Sequence, residues 1–456
     1  MLERQDLILG AGLAGLSAAY SLQSAGQDEW QVYERDSTPG GLARSQEVDG
    51  YRFDYGPHIL FTIDEEIREL ILDLLGDNFH AQDRKAYIYH HEHQLYTQFP
   101  FQAHLHGLPA EIVGDCLTSL VEAVERQAKG EFDPKNYREW MHGFFGDGIA
   151  ERLMIPYARK IWTVDPSEMD FDWIARRVPT PNVERIIRGA LSNEVGQVGA
   201  TSQFWYTRYG GIGPLPHALS KRVENLHLER TAVKIELQGR RVVFADGEVV
   251  PFRRLVYSLP LPFLPRFVDD LPPAVDRACR SLKYQGIHCV NLGIDREKIS
   301  DKHWIYFYED GFPFHRLSLP GNFSADTVPP GKSSISAEVA FSPSSPLDSD
   351  AAVQQTIDGL ILSGLITRDD TVELVHTEAI LPAYVIYDLD RARNVAIIRD
   401  WLRENEIWSV GRFGEWQYFN MDHSLRSGRR AAEEILTLDG GACRQSSASS
   451  SRTSSE

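Results

Sequence analysis

Gly10, Gly12 and Gly15 stand at G-x-G-x-x-G spacing directly after an apolar run, Leu7 to Leu9, and Glu34 closes the next run, Trp30 to Tyr33. Residues of these types in this order serve a dinucleotide. Gly10 permits a tight turn, Gly12 lets backbone N–H groups approach a pyrophosphate, and Gly15 lets a helix pack closely on the strand. The helix expected from Ala14 to about Ser24 points its N-terminus, the positive end of its dipole, at the phosphates. Glu34 lies where a carboxylate accepts hydrogen bonds from a ribose. Strand, glycines, helix, strand and acid occur in one unit, so a ligand-free glycine turn is the weaker reading.

Arg35 and then Thr38-Pro39-Gly40-Gly41-Leu42-Ala43-Arg44 follow. A Gly-Gly turn with a nearby Arg, just after the ribose acid, resembles the second signature of the amine-oxidase-like flavoproteins. The resemblance implies FAD rather than NAD, with Arg35, Gly41, Leu42 and Arg44 along its phosphates and flavin. It also implies that a later strand block approaches the adenine, which points to Val233.

These residues need elements to position them. Tyr51 to Thr62 reads as strand, tight turn, strand, and Glu65 to Leu75 as a polar helix. Residues 86–99 read as a strand pair. Residues 109–190 read as mainly helical, with apolar periodicity in Ile112–Val124 and Ile149–Ile161. Strands return over 226–259, with an Asp246-Gly247 turn, and 283–345 alternate like a larger sheet. Ile407 to Ile435 reads as strand, loop and helix, the helix from Leu425. The Ser-rich residues 440–456 are expected to be disordered. The expected fold is α/β. A discontinuous Rossmann-like FAD-binding domain (1–85, 191–265, 385–439) carries a helical lobe (105–190) and an antiparallel-sheet substrate lobe (86–104, 266–384).

The 456 residues, 42% hydrophobic, are enough for a large core and two or three lobes. A formal net charge of −18 argues against a nucleic-acid partner, which needs a basic face. It leaves room for a phosphorylated small molecule held by local Arg residues. Cys116, Cys279, Cys289 and Cys443 have neither metal nor redox spacing, which suggests a reducing compartment. No charged leader and no apolar run long enough to span a bilayer is visible, so a cytoplasmic enzyme is expected. His90, His91 and His93 alternate on an expected strand with no Cys nearby. They read as exposed histidines, and no metal is expected.

Further segments resemble the UDP-galactopyranose mutase family, closer to its eukaryotic branch. They are FDYGPHILF (Phe53 to Phe61), FPFQ (Phe99 to Gln102), MIPYARKIW (Met154 to Trp162) and WIARRVPTPN (Trp173 to Asn182). YGGIG (Tyr209 to Gly213), DKHWIYFYEDGFPFHR (Asp301 to Arg316) and GRFGEWQYFNMDHS (Gly411 to Ser424) complete the set. They fall in family order across nearly the whole chain, and the last is the most specific. The resemblance implies a redox-neutral interconversion of the pyranose and furanose forms of a nucleotide sugar, through a reduced-flavin N5–sugar adduct. NAD(P)H or another external reductant would supply the electrons.

The same resemblance implies the site residues. Arg177 and Arg316 neutralise the diphosphate, with Arg176 able to substitute for Arg177. His58 lies beside the flavin, and Asn420 lies near the sugar or flavin. Phe99 and Gln102 hold the base. Tyr384 and Tyr418 hydrogen-bond the diphosphate. Gly411 contacts the flavin, and Asp422, His423 and Ser424 precede a helix whose N-terminus is aimed at the flavin's pyrimidine end. Trp304 and Tyr306 read equally as site walls or as aromatic core. The chain departs from the family pattern at Pro57, where a Gly is usual, and at Phe323, where a Tyr is usual. The segment between Tyr418 and Met421 is shorter than in the eukaryotic branch and closer to the bacterial spacing. Two other functions compete: an amine-oxidase-class oxidase or dehydrogenase acting on an amine, a polyene or a porphyrin, and a non-catalytic flavin-binding subunit.

Overall fold

The computed structural model describes residues 5–174, 182–193 and 202–450, with residues 440–450 described by backbone alone. A seven-stranded sheet organises the cofactor side. Its centre is the strand Gln5–Leu9, paired in parallel with Trp30–Tyr33 on one side and Val249–Tyr257 on the other. The long strand Val249–Tyr257 does two jobs. Its first half pairs antiparallel with Arg241–Phe244, and its second half runs parallel to Gln5–Leu9 and to Ile407–Ser409. Segments from the beginning, middle and end of the chain therefore meet in one sheet.

The apolar run Leu7-Ile8-Leu9 is a strand buried on both faces, with alternate side chains in opposite cores. Leu7 and Leu9 pack with Leu255, Ile398 and Leu402, under the helices Pro273–Ser281 and Arg391–Glu404. Ile8 packs with Leu16, Trp30 and Leu425, under the helices Leu13–Ser24 and Met421–Ser450. The crossing of those last two helices is close because Gly428 sits against it. A Cβ there would lie 2.0 Å from the Ala14 carbonyl oxygen.

A second seven-stranded sheet forms the other lobe. In order across it lie Val372–Val385, Tyr284–Ile294, Ser333–Phe341, Arg316–Ser318, Trp304–Tyr306, Ala86–His90 and Leu95–Gln98. All pairs are antiparallel except Trp304–Tyr306 with Ala86–His90. One face carries Val290, Leu292, Ile335 and Val339 into a core beneath the helix Ser349–Leu362. The opposite face looks toward the helical lobe, which contains Ala110–Ala128, Tyr137–Ile149, Ile155–Trp162 and Val183–Leu191.

Some expectations need correction. The segment after Tyr51–Asp54 is not a second strand; only Leu60 makes an isolated bridge, to Trp205. Gly56, at φ +77°, turns the chain out of the extended conformation, and Pro57 cannot donate a ladder bond. The expected continuous helix Ile149–Ile161 is interrupted by a π-helical turn, Ala150–Met154, before Ile155–Trp162. Pro156 accounts for the break, since it cannot donate a backbone bond to the preceding turn. The last helix starts at Met421 rather than Leu425. Its backbone continues to Ser450, into the segment read as a disordered tail. His90 is buried rather than exposed, because the inward face of its strand holds it against Thr97 Oγ1 at 2.9 Å and Tyr308 OH at 3.2 Å.

Candidate active site

Two glycine turns face each other at the C-terminal edge of the parallel sheet. Gly10, at φ +96°, turns the chain out of the first strand. A Cβ on Gly15 would lie 1.9 Å from the Gly10 carbonyl oxygen, so only glycine lets the helix start this close to the turn. Gly12 differs, because a Cβ there would meet nothing within 4 Å but the Cα of Gly41, at 3.8 Å. Gly12 and Gly40 form an isolated parallel bridge, and the Gly40 amide donates to the Ala11 carbonyl at 2.8 Å. Bare main chain thus lines both sides of a cleft ending at the N-terminus of Leu13–Ser24, the arrangement that accommodates a pyrophosphate.

Glu34 is buried and accepts from the Ala11 amide at 2.7 Å and the Asp36 amide at 3.0 Å. Its carboxylate is therefore fixed at the rim of the glycine turn. Arg44 donates through Nε to the Gly41 carbonyl at 2.8 Å, pairs with Asp36 at 3.0 Å and lies 5.0 Å over the Tyr55 ring. Arg35 is not drawn in: its side chain is 75% exposed and lies 3.6 Å from Asp36. Leu42 packs with Ile287, Cys289, Ala383 and Tyr384, which joins the second glycine turn to the sheet lobe. The ladder skips Val233, passing from Ala232–Phe244 to Lys234–Val243, and leaves its side chain 43% exposed. Gly411, at φ +77°, lies against Ala14, and its amide donates to Ser427 Oγ at 2.8 Å. Asp422 is buried and bonded to the exposed His423 at 2.8 Å, in the first turn of the last helix. Ser424 Oγ donates to the Asn420 carbonyl at 3.1 Å, and Asn420 itself is exposed.

The sheet lobe contributes one cross-strand row. Glu378, Cys289, Glu338, Arg316, Tyr306 and Ile88 are successive register partners across five ladders. Direct partners point to one face. Arg316 forks onto Glu338, with Nε to Oε1 at 2.5 Å and Nη2 to Oε2 at 2.8 Å, and Nη2 lies 3.5 Å from Tyr384 OH. Burial alone pushes the Glu338 carboxyl up, but the Arg316 guanidinium outweighs it and holds the group below the usual range. Burial also opposes the Arg316 charge, which Glu338 nonetheless stabilises. His315, fully buried, is pushed down to about 4 by burial and stays neutral.

Beside the row, Tyr384 and Tyr418 stack with centroids 5.2 Å apart and planes 10° from parallel. Arg412 lies 5.0 Å over each ring, and Trp162 meets both edge-on. At the other end of the row, Phe99 packs on Tyr306 at 4.6 Å, with the buried Arg84 5.6 Å over its face. Gln102 is half-buried in the 3₁₀ turn Phe101–Ala103 that follows. His58 receives influence from Asp54, Arg412 and Glu338, between the row and the glycine turns. Burial holds it below its usual value, with Asp54 opposing. Its Nδ1 lies 2.9 Å from the Gly56 carbonyl.

Most of the expected residues thus converge on two adjoining surfaces. Trp304 does not line them. It is buried in the cofactor-side core, stacked on Phe323 at 6.0 Å. Arg177, with Arg176, lies outside the described residues. Three charged groups escaped the sequence reading: Arg84, Glu338 and Arg412. Glu338 had a signal, a lone acid in the apolar strand Ser333–Phe341, because a buried carboxylate requires a partner. Arg412 stands inside a quoted motif, directly after Gly411. Among the described residues no group of His, Cys, Asp or Glu is placed to hold a metal ion, and no helix is long and apolar enough to cross a membrane.

A two-turn main-chain cradle on a discontinuous, mainly parallel sheet defines a dinucleotide-binding protein. Residues 13–384 match the family described as flavin containing amine oxidoreductase. The chain belongs to that family, and its cofactor is FAD. The structure is similar to that of a reduced UDP-galactopyranose mutase, with a TM-score of 0.89 and 28% identity, covering 96% of this chain and 95% of that one. Putrescine oxidase bound to putrescine is more distant, with a TM-score of 0.65 and 17% identity, and shares the fold alone. A 4,4'-diapolycopene oxygenase of Methylomonas sp is 46% identical over 369 residues, 68% of this chain and 69% of that one. A 1-hydroxycarotenoid 3,4-desaturase of Flavobacterium sp. (strain P99-3) is 42% identical over 67 residues, so the chain spans only 13% of that relative's length.

Proposed function

We propose that this protein is a flavin-dependent nucleotide-sugar mutase that interconverts the pyranose and furanose forms of a UDP-sugar resembling UDP-galactose. One observation carries the reading: Arg316, Tyr384, Tyr418 and Arg412 form a cationic, phenol-lined surface beside the cofactor cradle. A diphosphate needs charge and hydrogen-bond donors, and an apolar polyene needs neither. The likeness to the mutase, over nearly the whole length of both chains, supports the same reading.

Each residue then has a task. Glu338 occupies one edge of the Arg316 guanidinium and fixes its plane, leaving the Nη1 edge for phosphate oxygens. Tyr384 and Tyr418 present phenol donors, while Arg412 adds charge above their rings and toward His58. Arg177 completes the clamp. Phe99, Tyr306 and Gln102 hold the base, the aromatic pair by stacking and the amide by reading its edge. His58, kept neutral, offers or accepts a hydrogen bond at the sugar end, where Asn420 also lies. Gly10, Gly12, Gly15, Glu34, Gly41, Leu42, Arg44, Val233, Gly411 and the Asp422–Ser424 turn hold the cofactor. Reduced FAD, when bound, supplies the nucleophile for redox-neutral sugar chemistry.

The similarity to the carotenoid oxygenase favours a second reading, an oxidase or dehydrogenase. One experiment separates the two. FAD-loaded protein is reduced anaerobically with dithionite and incubated with UDP-galactopyranose and related nucleotide sugars, and the products are resolved by chromatography. Ring-isomerised product without stoichiometric loss of reductant is the expected result. Turnover of oxidised protein on an amine or polyene, with matching oxygen uptake, would establish the second reading.

A further inference from the structure

A cleft of about 460 Å³ opens at the edge of the parallel sheet, next to the segment that carries Arg412 and Tyr418 but lined by other side chains. Arg316, Tyr384, Arg412 and Tyr418 take no part in it. The helices Arg391–Glu404 and Met421–Ser450 form its walls, and Val395, Trp408 and Val410 give it an apolar floor. Its volume is in the range of small-molecule sites, roughly 300–1,000 Å³.

The rim is cationic in a chain whose net charge is −18. Arg391, Arg399, Arg403 and Arg430 line the cleft against three acids, Asp400, Glu415 and Glu434. Arg430 and Arg399 converge on Glu415, at 2.7 Å and 3.5 Å, and that carboxylate is buried at the base, where it also accepts from Ser427. Arg403 pairs with Glu434 and lies 4.7 Å over the Trp408 ring. The arginines are oriented by these contacts but not used up. Arg399, Arg403 and Arg430 keep 37%, 48% and 50% of their side-chain surface exposed. Planar guanidinium groups held this way keep N–H edges exposed, the geometry that suits planar or tetrahedral oxyanions such as carboxylate and phosphate.

We propose that this cleft is a second binding site, for a phosphate-bearing small molecule of nucleotide size. The phosphates lie among Arg399, Arg403 and Arg430, and the apolar part rests against Val395 and Val410, beside the Trp408 ring that Arg403 covers. The site is independent of the clamp and of the substrate assigned to it.

ADP is the probe, titrated by calorimetry into full-length protein saturated with FAD. Wild-type protein is compared with the Arg399→Ala/Arg403→Ala double variant, whose altered residues lie outside both the cradle and the clamp. The double variant should lose one bound ADP per chain, or bind it at least tenfold more weakly, with flavin content and melting temperature unchanged. Arg403→Lys keeps the charge and loses the fork, and it should weaken the same site about threefold. It serves as the test if the double variant fails to fold. No measurable ADP binding to wild type, or binding unaltered in these variants, would overturn the proposal.

Discussion

The cofactor cradle and the proposed diphosphate clamp lie side by side and are built in opposite ways. The cradle is main chain, made of two glycine turns and a carboxylate that fall between Gly10 and Arg44. The clamp is side chain. Its described members are spread from Arg316 to Tyr418: strand register sets Arg316 against Glu338, and Arg412 and Tyr418 reach Tyr384 from outside the sheet. A main-chain site needs particular backbone conformations, so its requirements appear as spacing within one short segment. A side-chain site needs only that distant strands arrive in step, and a one-residue slip would turn its row to the other face.

The sharpest way to break the cradle is to fill it. Gly15→Ala places a Cβ against the Gly10 carbonyl oxygen, where backbone has no room to yield. The helix start must shift, and the purified variant should carry almost no FAD and melt well below wild type. Gly12→Ala is the contrast, since its Cβ would enter open space. That protein should fold normally and lose flavin alone. Visible absorbance per chain, read beside a melting curve, distinguishes the two. Equal melting losses in both would mean that Gly12 is as closely packed as Gly15.

The clamp breaks differently, because its centre is a buried ion pair. Arg316→Ala removes a charge-assisted bond to phosphate, worth roughly 1.5–3 kcal/mol, so UDP affinity should fall by about one to two powers of ten. It also leaves Glu338 buried without its partner, which costs about 3–5 kcal/mol of stability. Replacing both, as Arg316→Met/Glu338→Leu, should restore most of the stability and none of the affinity. Calorimetry with UDP and urea unfolding separate the two effects. Unchanged UDP affinity in both variants would move the diphosphate elsewhere.

What the sequence made legible follows the same division. Gly10, Gly12, Gly15 and Glu34 stand as their spacing implies, and the segment 226–259 rejoins the first strand. The clamp was legible only through likeness to a family, and likeness named Arg316, Tyr384 and Tyr418 but passed over Glu338 and Arg412. Glu338 finds Arg316 through strand register, and Arg412 finds two tyrosines through a loop. Neither relation leaves a local pattern. From sequence, His90 is misplaced and Trp304 stays open between wall and core for a related reason: composition shows that an aromatic or a histidine is present, while the twist and pairing of the sheet decide which core receives it.

Acid should act on the substrate lobes. His90, His104, His303 and His315 lie there, and burial first of all depresses each to about 4. Unfolded, each titrates near ~6.5. The unfolded chain therefore binds these protons first. Their stabilising contribution is complete above the unfolded value and is lost as pH falls toward 4. Each histidine can supply a slope of up to roughly 1.4 kcal/mol per pH unit in that window. Asp54, raised by burial, works in the opposite sense: its contribution is present at low pH and lost as pH rises through its folded value. Urea midpoints measured at pH 7, 6 and 5 should fall steeply. A flat series would mean that these histidines are already protonated in the fold.

The smallest effect is expected at Phe323, where the mutase pattern has a tyrosine. The ring is buried, stacked on Trp304 at 6.0 Å and packed against Phe204 at 5.8 Å and Tyr206 at 5.4 Å. These contacts belong to the cofactor-side core rather than to the row that carries Arg316. Phe323→Tyr adds one hydroxyl to that core. A buried hydroxyl without a partner costs about 1–3 kcal/mol on protein scales, while His303 and Tyr206, each at 5.4 Å, are polar rings nearby. Stability should drop by about 1 kcal/mol, and UDP affinity should change by less than about threefold, because the new group faces aromatic rings. Paired urea melts and UDP titrations make the comparison. A tenfold gain in affinity with no loss of stability would show that the edge of this ring faces the diphosphate, and that the clamp reaches further into the core than its present contacts suggest.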